Sequence, residues 1–183
     1  MRDMMWPMHI PADRLDDGEV SLRPYRPEDA PVLFEAVRDE RAWEHLPGAI
    51  PTDFAALDAE IAAKLADGRR LTFTVRRGEA VAGRTSILWD PSDPNSVEIG
   101  GTQFDPTAWG TGLNTQVKHL LIAAIFDRGA ASIRFRTDER NVRSAAAIRK
   151  LGAIELGVRP DTRVRRDGSV RNSRHFRLDR PAS

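Results

Sequence analysis

The sequence predicts an α+β domain: a mixed, mostly antiparallel sheet of about seven strands with flanking helices. Three observations carry this prediction. Strand-like runs over residues 71–76, 81–89 and 96–104 are joined by the short turns Arg77-Gly78-Glu79 and 90–95, which makes an antiparallel meander. The pattern then changes, and Leu113, Val117, Leu120, Leu121, Ala124 and Ile125 fall on one face of a helix. A further strand over 132–137 follows that helix, so a strand–helix–strand unit puts one parallel pair near the middle of the sheet.

The remaining elements read in order. Residues 19–23, Glu-Val-Ser-Leu-Arg, alternate as a half-buried strand does, and Pro24 and Pro27 end it. Pro27-Glu28-Asp29 is a helix start, with acids at the positive end of the dipole and Leu33, Phe34 and Val37 as the apolar stripe. A loop of bulky residues, Trp43-Glu44-His45-Leu46-Pro47-Gly48, comes next. Thr52-Asp53 caps a second helix with Leu57, Ile61 and Leu65 at period four and Gly68 as its stop. After the central unit, residues 141–151 form a short helix stopped by Gly152, and strands over 154–164 and 171–178 meet at the turn Asp167-Gly168-Ser169. No repeat or linker divides the chain, so residues 19–183 read as a single domain behind an N-terminal extension, 1–18.

Composition bounds the function. With 183 residues, 40% hydrophobic and 30% charged, the chain can bury a real core. No run approaches the length of a membrane helix, and residues 1–9 lack the apolar core of a signal peptide; a cytoplasmic location without membrane partners is the expectation. There is no cysteine, hence no disulfide, thiolate metal site or cysteine nucleophile. The four histidines, His9, His45, His119 and His175, show no metal-ligand spacing, and no Gly-x-Ser-x-Gly elbow marks a hydrolase. A net charge of +1 argues against nucleic acid as a partner. Only three of the 28 basic residues are lysines, a compositional bias that discounts any single arginine. The eight arginines and three acids between 159 and 180 are read as a solvated hairpin.

The chemistry centres on the turn Trp109-Gly110-Thr111-Gly112-Leu113-Asn114. It leaves the fourth strand at Phe104-Asp105-Pro106 and opens a helix. Glycine allows positive φ and close approach of a ligand, and the first helical turn offers amides without internal partners plus the positive dipole end. Such a turn can hold a diphosphate without a basic side chain, with Thr111, Asn114 and Thr115 as added donors; it can equally be a packing corner. Neither the Gly-x-x-x-x-Gly-Lys loop nor the full Gly-x-Gly-x-x-Gly is present, because position 115 is Thr115.

Three separated motifs resemble one family. They are Thr107-Ala108-Trp109-Gly110-Thr111-Gly112, then Asn141-Val142-Arg143-Ser144 running into Leu151-Gly152-Ala153, and the opening Leu22-Arg23-Pro24-Tyr25-Arg26-Pro27-Glu28-Asp29-Ala30. Over residues 19–178 the sequence resembles the GCN5-related N-acetyltransferase (GNAT) superfamily, most closely its ribosomal-protein-alanine (RimJ/RimL-type) branch. The resemblance implies a splayed parallel pair, strands four and five, with acyl-CoA pantetheine in the gap as a substitute strand; Gly100-Gly101 fits a bulge there. It implies acetyl-CoA as co-substrate without a metal, an amine acceptor, and often a homodimer. The coenzyme-binding residues would be Phe104, Trp109, Gly110, Thr111, Gly112, Leu113, Asn114, Thr115, Asn141 and Ser144, with Arg149 or Lys150 at the adenosine phosphates.

The implied reaction is direct transfer of acetyl from acetyl-CoA to a primary amine, on a protein N-terminus or a small molecule. Many members use a tyrosine as acid four residues before the glycine that matches Gly152; here that position is Ile148, and Tyr25 is the only tyrosine. Ser144 is the replacement candidate, with helix capping or coenzyme contact as its other role. Glu98, Asp138 and Glu44 are candidate bases, and Trp43, Glu44, His45 and Trp89 candidate walls of the amine pocket. The missing tyrosine leaves two alternatives open: an acyl-CoA-sensing module without catalysis, and an enzyme for a longer acyl group such as succinyl.

Overall fold

The computed structural model describes residues 4–181; Met1 to Asp3 of the N-terminal extension, and the last two residues of the chain, lie outside it. Seven strands form one sheet: β1 (Val20–Pro24), β2 (Arg70–Arg77), β3 (Ala80–Trp89), β4 (Ser96–Phe104), β5 (Ser132–Asp138), β6 (Ile154–Val164) and β7 (Val170–Asp179). Their spatial order is β1-β2-β3-β4-β5-β7-β6. Every neighbouring pair is antiparallel except β4 and β5. The α+β architecture is therefore the one that the pattern of turns predicts.

Four helices cover the sheet: α1 (Ala30–Val37), α2 (Phe54–Leu65), α3 (Leu113–Asp127) and α4 (Val142–Lys150). The apolar stripe of α3, with Leu113, Val117, Leu121 and Ile125, is buried against Val97, Ile99, Ile133 and Phe135 of the central strands, together with Ala145 and Ile148 of α4. On the opposite side, Leu33, Val37, Leu57 and Ile61 of α1 and α2 gather around Trp43. Alternation along β4 then settles a face. Val97 and Ile99 point to α3, so Glu98 and Gly100 point to the α1/α2 side. The extension is no free arm, since Met4, Met8 and Leu15 are buried in the α3-side core.

Local differences from the sequence expectation have simple causes. Residues 27–29 form a 3₁₀ turn, and α1 begins at Ala30, because Asp29 folds back to accept from the Arg26 amide and from Thr74 Oγ1. The aromatic loop starts with a 3₁₀ turn, Glu40–Trp43, capped when Asp39 accepts from the Arg41 amide. The β4 bulge falls where Gly100-Gly101 predicts it. Ser86 faces Gly100 and Arg84 faces Gln103, so Gly101 and Thr102 together oppose Thr85, with Gly101 at φ +59°.

Beneath that bulge lies Lys118 of α3, 5% exposed. Its ammonium donates to Thr102 Oγ1 at 2.6 Å and reaches Thr85 Oγ1 at 3.4 Å, and no carboxylate pairs with it among the described residues. Burial pushes its pKa from 10.5 down to about 7. Below pH 7 both folded and unfolded chains carry this proton; between about pH 7 and 10.5 only the unfolded chain does. Stability contributed at this site therefore rises with pH across that window. Thermal melts are expected to show this rise, and Lys118→Met to remove it while stabilising the protein near pH 7, since Thr85 and Thr102 keep their own hydrogen bond. A pH-independent melting curve in the parent would contradict this account.

Candidate active site

Strands β4 and β5 pair at three positions only: Ser96 with Ser132, Val97 with Ile133, and Glu98 with Arg134. Beyond these, β4 runs on to Phe104 beside β3, and β5 to Asp138 beside β7. The two strands separate toward their C-terminal ends, and the backbone edges that face each other across the gap lack a strand partner. This is a slot for an extended ligand that bonds to backbone.

One rim of the slot is the turn before α3. Asp105 accepts from the Thr107 amide at 2.8 Å and sets up a 3₁₀ turn, Pro106–Ala108. Gly110 and Gly112 follow with φ of +76° and +89°. That backbone path leaves the amides of Gly110, Gly112, Leu113 and Asn114 without hydrogen-bond acceptors among the described residues. Thr111, Gly112 and Thr115 are exposed, Asn114 and Trp109 are half-buried, and the side chains of Leu113 and Phe104 anchor the turn in the core. Convergent free amides at the positive end of a 15-residue helix form an anion cradle.

The other rim is the start of α4. Asn141 Oδ1 caps the helix by accepting from the Ser144 amide at 2.9 Å. Ser144 is half-buried, and its hydroxyl makes no hydrogen bond among the described residues. One turn on, Ile148 is buried in the core, so the position of the missing tyrosine offers no proton donor. Tyr25 lies on the α1/α2 side, donates to Asp58 at 2.7 Å, and is pushed upward in pKa by burial and then by that carboxylate. Lys150 is exposed, while Arg149 is engaged by Glu155 at 2.6 Å. Arg143, which drew no attention in the sequence, stacks on the Trp109 ring at 3.5 Å and ties the two rims together.

The candidate carboxylates differ in how far their oxygens are used. Asp138 is 2% exposed; Arg165 bonds both of its oxygens at 2.8 Å, and the Arg140 amide adds a third bond at 2.9 Å. Burial alone would raise its pKa, but these bonds hold it below the ordinary value. Glu44 is exposed, with only His45 within reach at 3.8 Å. Glu98 is half-buried on the α1/α2 side, makes no hydrogen bond among the described residues, and has Arg136 at 3.6 Å. His45 stands near Asp138, Arg143 and Arg171, and its pKa is lowered chiefly by burial. Glu44, His45, Arg143 and Asp138 are thus brought together.

Three expectations need correction. Trp43 is buried at 3% exposure, donates to Val37 O at 2.6 Å and carries Arg84 over its ring, so it is a plug of the smaller core and walls no pocket. Trp89 pairs with Val97 at the closed end of β4, where it stacks on Trp6 with centroids 5.8 Å apart, away from the slot. The basic tail is not wholly a solvated hairpin. Arg171 is buried beside Asp138 and Asp161 at 3.7 and 3.9 Å, and Arg163 grips Asp161 at 2.9 Å. Packing against two buried carboxylates, invisible in the sequence, draws these arginines inward.

Comparison with known proteins agrees with this geometry. The sequence profile of the Acetyltransferase (GNAT) domain matches residues 19–154, and the chain belongs to that family. It is an N-acetyltransferase by class, and acetyl-CoA is the co-substrate that the family uses. No curated protein matches the sequence. Among solved structures, a GNAT-family protein from Chromobacterium violaceum is 25% identical with a TM-score of 0.86, over 98% of this chain and 90% of that one. The Salmonella typhimurium acetyltransferase that modifies the N-terminal serine of ribosomal protein L7/L12 is 17% identical with a TM-score of 0.79, over 94% and 99% of the chains. The microcin C7 self-immunity acetyltransferase MccE, solved with acetyl-CoA and AMP, is 16% identical with a TM-score of 0.76, over 91% and 94%. Among the described residues, no helix is long and apolar enough to cross a membrane.

The lowered pKa of Asp138 has a checkable consequence. Its contribution is complete above its ordinary value of 3.8 and fades as pH falls toward the folded-state value. Asp138→Asn is expected to lower the melting temperature by several degrees at pH 7, with the gap to the parent narrowing below about pH 4. A gap that stays constant down to pH 3 would show that the carboxylate charge carries no part of the effect.

Proposed function

We propose that this chain transfers an acetyl group from acetyl-CoA to a primary amine by direct attack, with Glu98 as the base. The observation that carries the reading is the continuity of the slot. It runs from the free amides at Gly110, Gly112, Leu113 and Asn114, past the β4 bulge, to an under-used carboxylate. The amides, with Asn114 and Thr115, hold the diphosphate, while Thr111, whose hydroxyl donates to Ala108 O at 2.7 Å, braces the turn. Trp109 and Phe104 bound the path of the pantetheine, Asn141 frames its far end, and Lys150 is placed for the adenosine phosphates.

The acceptor approaches from the α1/α2 side, between Glu98 and the loop of Glu44 and His45. An aliphatic amine is mostly protonated at neutral pH, so Glu98 takes one proton, directly or through a water. The nitrogen attacks the thioester carbonyl, whose developing negative charge is met by β4 amides at the bulge. The C–S bond then breaks; the departing thiolate takes the proton of Ser144 Oγ, and Ser144 Oγ regains one from the nitrogen, which becomes the amide. Glu44 is too exposed, and Asp138 too fully bonded, to suit the base role as well.

Two substitutions test the halves of this proposal. A Cβ on Gly112 would meet nothing within 4 Å, but φ of +89° costs an L-residue about 1–2 kcal/mol, so Gly112→Ala disturbs the cradle through backbone strain alone. Its acetyl-CoA dissociation constant, read by isothermal titration, is expected to rise about tenfold; unaltered affinity would remove the turn from the donor site. Glu98→Gln is expected to lower kcat about 10²-fold or more, with acetyl-CoA still bound. Thiol release at the parent rate would eliminate Glu98 as base, and a parent chain that binds no acetyl-CoA would overturn the whole reading.

A further inference from the structure

On the acceptor side of β4, behind the bulge, a cavity of about 30 Å³ lies between α2 and the sheet. Lys64, Arg70, Arg84, Thr72, Ser86 and Gly101 contribute to its wall. Three cations therefore meet here, and the carboxylate that pairs with two of them is Glu60. That carboxylate is already committed: one oxygen accepts from Arg84 Nη1 at 2.7 Å, and the other from Lys64 and from Arg84 Nη2 at 3.3 Å.

Arg70 is left over. It is half-buried, and among the described residues it has no carboxylate within ion-pair distance and a single, long side-chain hydrogen bond, 3.4 Å to Ser86 Oγ. Burial and then the nearby Arg84 depress its pKa, against the weaker pull of Glu60, Glu98 and Asp67, none of which pairs with it among the described residues. Thr72 and Ser86, hydrogen-bonded to each other at 3.0 Å, stand beside it with one hydroxyl proton left to donate. A guanidinium with flanking hydroxyls in a space of this size suits a carboxylate, which Arg binds in bidentate fashion.

The cavity also lies next to the candidate base, because Gly101, which lines it, follows Gly100 in the chain. A Cβ added to Gly101 would sit 3.1 Å from Arg70 Nη1 and 3.5 Å from Ser86 Oγ. A Cβ added to Gly100 would sit 3.1 Å from Glu98 Oε1. Both glycines face the acceptor side at the bulge, where their bare backbone lets Glu98 and Arg70 pack directly over adjacent residues of one strand. The two side chains therefore stand close enough for one small molecule to contact both.

We propose that the acceptor is a small amine that itself carries a carboxylate, an amino-acid-type substrate, with Arg70, Thr72 and Ser86 holding the carboxylate while the amine lies at Glu98. This rests on the transferase reading of the site and adds the acceptor class to it. Arg70 is then a specificity-determining residue that acts on acceptor binding and does not touch the bonds that change.

The test uses the full chain with saturating acetyl-CoA and reads thiol release. The acceptors are α-, β-, γ- and δ-amino acids, each paired with the amine of the same chain length that lacks the carboxylate. At least one pair is expected to show a preference of tenfold or more in kcat/KM for the carboxylate-bearing member. Arg70→Gln is expected to bring that ratio close to one through a higher KM, and Arg70→Lys to recover part of it. Equal use of both members of every pair by the parent overturns the inference, even where the variants do not fold. So does an Arg70→Gln variant that lowers kcat/KM for both members by one common factor. Failure of the underlying transferase reading looks different, because then no amine of either kind releases thiol.

Discussion

Three paired residues hold the centre of this sheet together, and the loss of pairing beyond them shapes the rest of the molecule. β4 is tied along its length to β3, and β5 to β7, so neither strand can turn to satisfy the other once they part after Glu98 and Arg134. Unpaired backbone donors and acceptors in the interior of a sheet are costly unless something bonds to them. The bulge at Gly101 helps to force the separation, because an extra residue on one strand increases its local twist and bends it away from the neighbour. The crossover helix α3 then begins at the wide end of the gap, which directs its free amides at whatever occupies that gap.

The same divergence separates donor from acceptor. On the α3 side lie apolar residues of the larger core and the cradle of amides, which suit a long, flexible ligand with a diphosphate. On the α1/α2 side the exposed part of the cleft is dominated by charge: Glu98, Arg136, His45, Arg143 and the arginines that surround Asp138 and Asp161. Only the bulge and the slot connect the two sides. A thioester carbonyl placed there is reached from one side by backbone amides and from the other by an amine, which is the geometry that direct attack requires.

What the sequence disclosed and what it hid divide along physical lines. Turn chemistry and periodicity are local, so the strand order in sequence, the bulge at Gly100-Gly101 and the glycine turn were all legible. The fates of individual polar side chains were not, because they depend on partners distant in sequence. Trp43 and Trp89 read as pocket walls, yet one fills a core and the other stacks on Trp6 of a segment that looked like an appendage. Arginines were discounted as composition, and for most of them that was sound. Arg70 and Arg143 escaped because nothing in their local pattern distinguishes a cation without a carboxylate from one with a solvated partner. Lys118 sits at an apolar position of α3's stripe, and only the hydroxyls of Thr85 and Thr102, from two other strands, explain how it is tolerated.

The division of labour among the carboxylates follows from counting their bonds. Asp138 accepts three hydrogen bonds and Asp161 accepts from Arg163, from the Arg163 amide and from Ser173, so each is saturated and held ionised. Groups in that condition cannot bind a proton from an incoming ammonium without breaking a buried ion pair, and such pairs are expensive to break. They serve instead to fix the ends of β5 and the β6–β7 hairpin, and so to hold the far wall of the cleft. Glu98 differs in that, among the described residues, no hydrogen bond consumes its oxygens and its ion-pair partner, Arg136, stands 3.6 Å away. A base must have a lone pair free and be close to the reacting nitrogen, and the saturation of Asp138 and Asp161 is why Glu98 is the carboxylate proposed for that task.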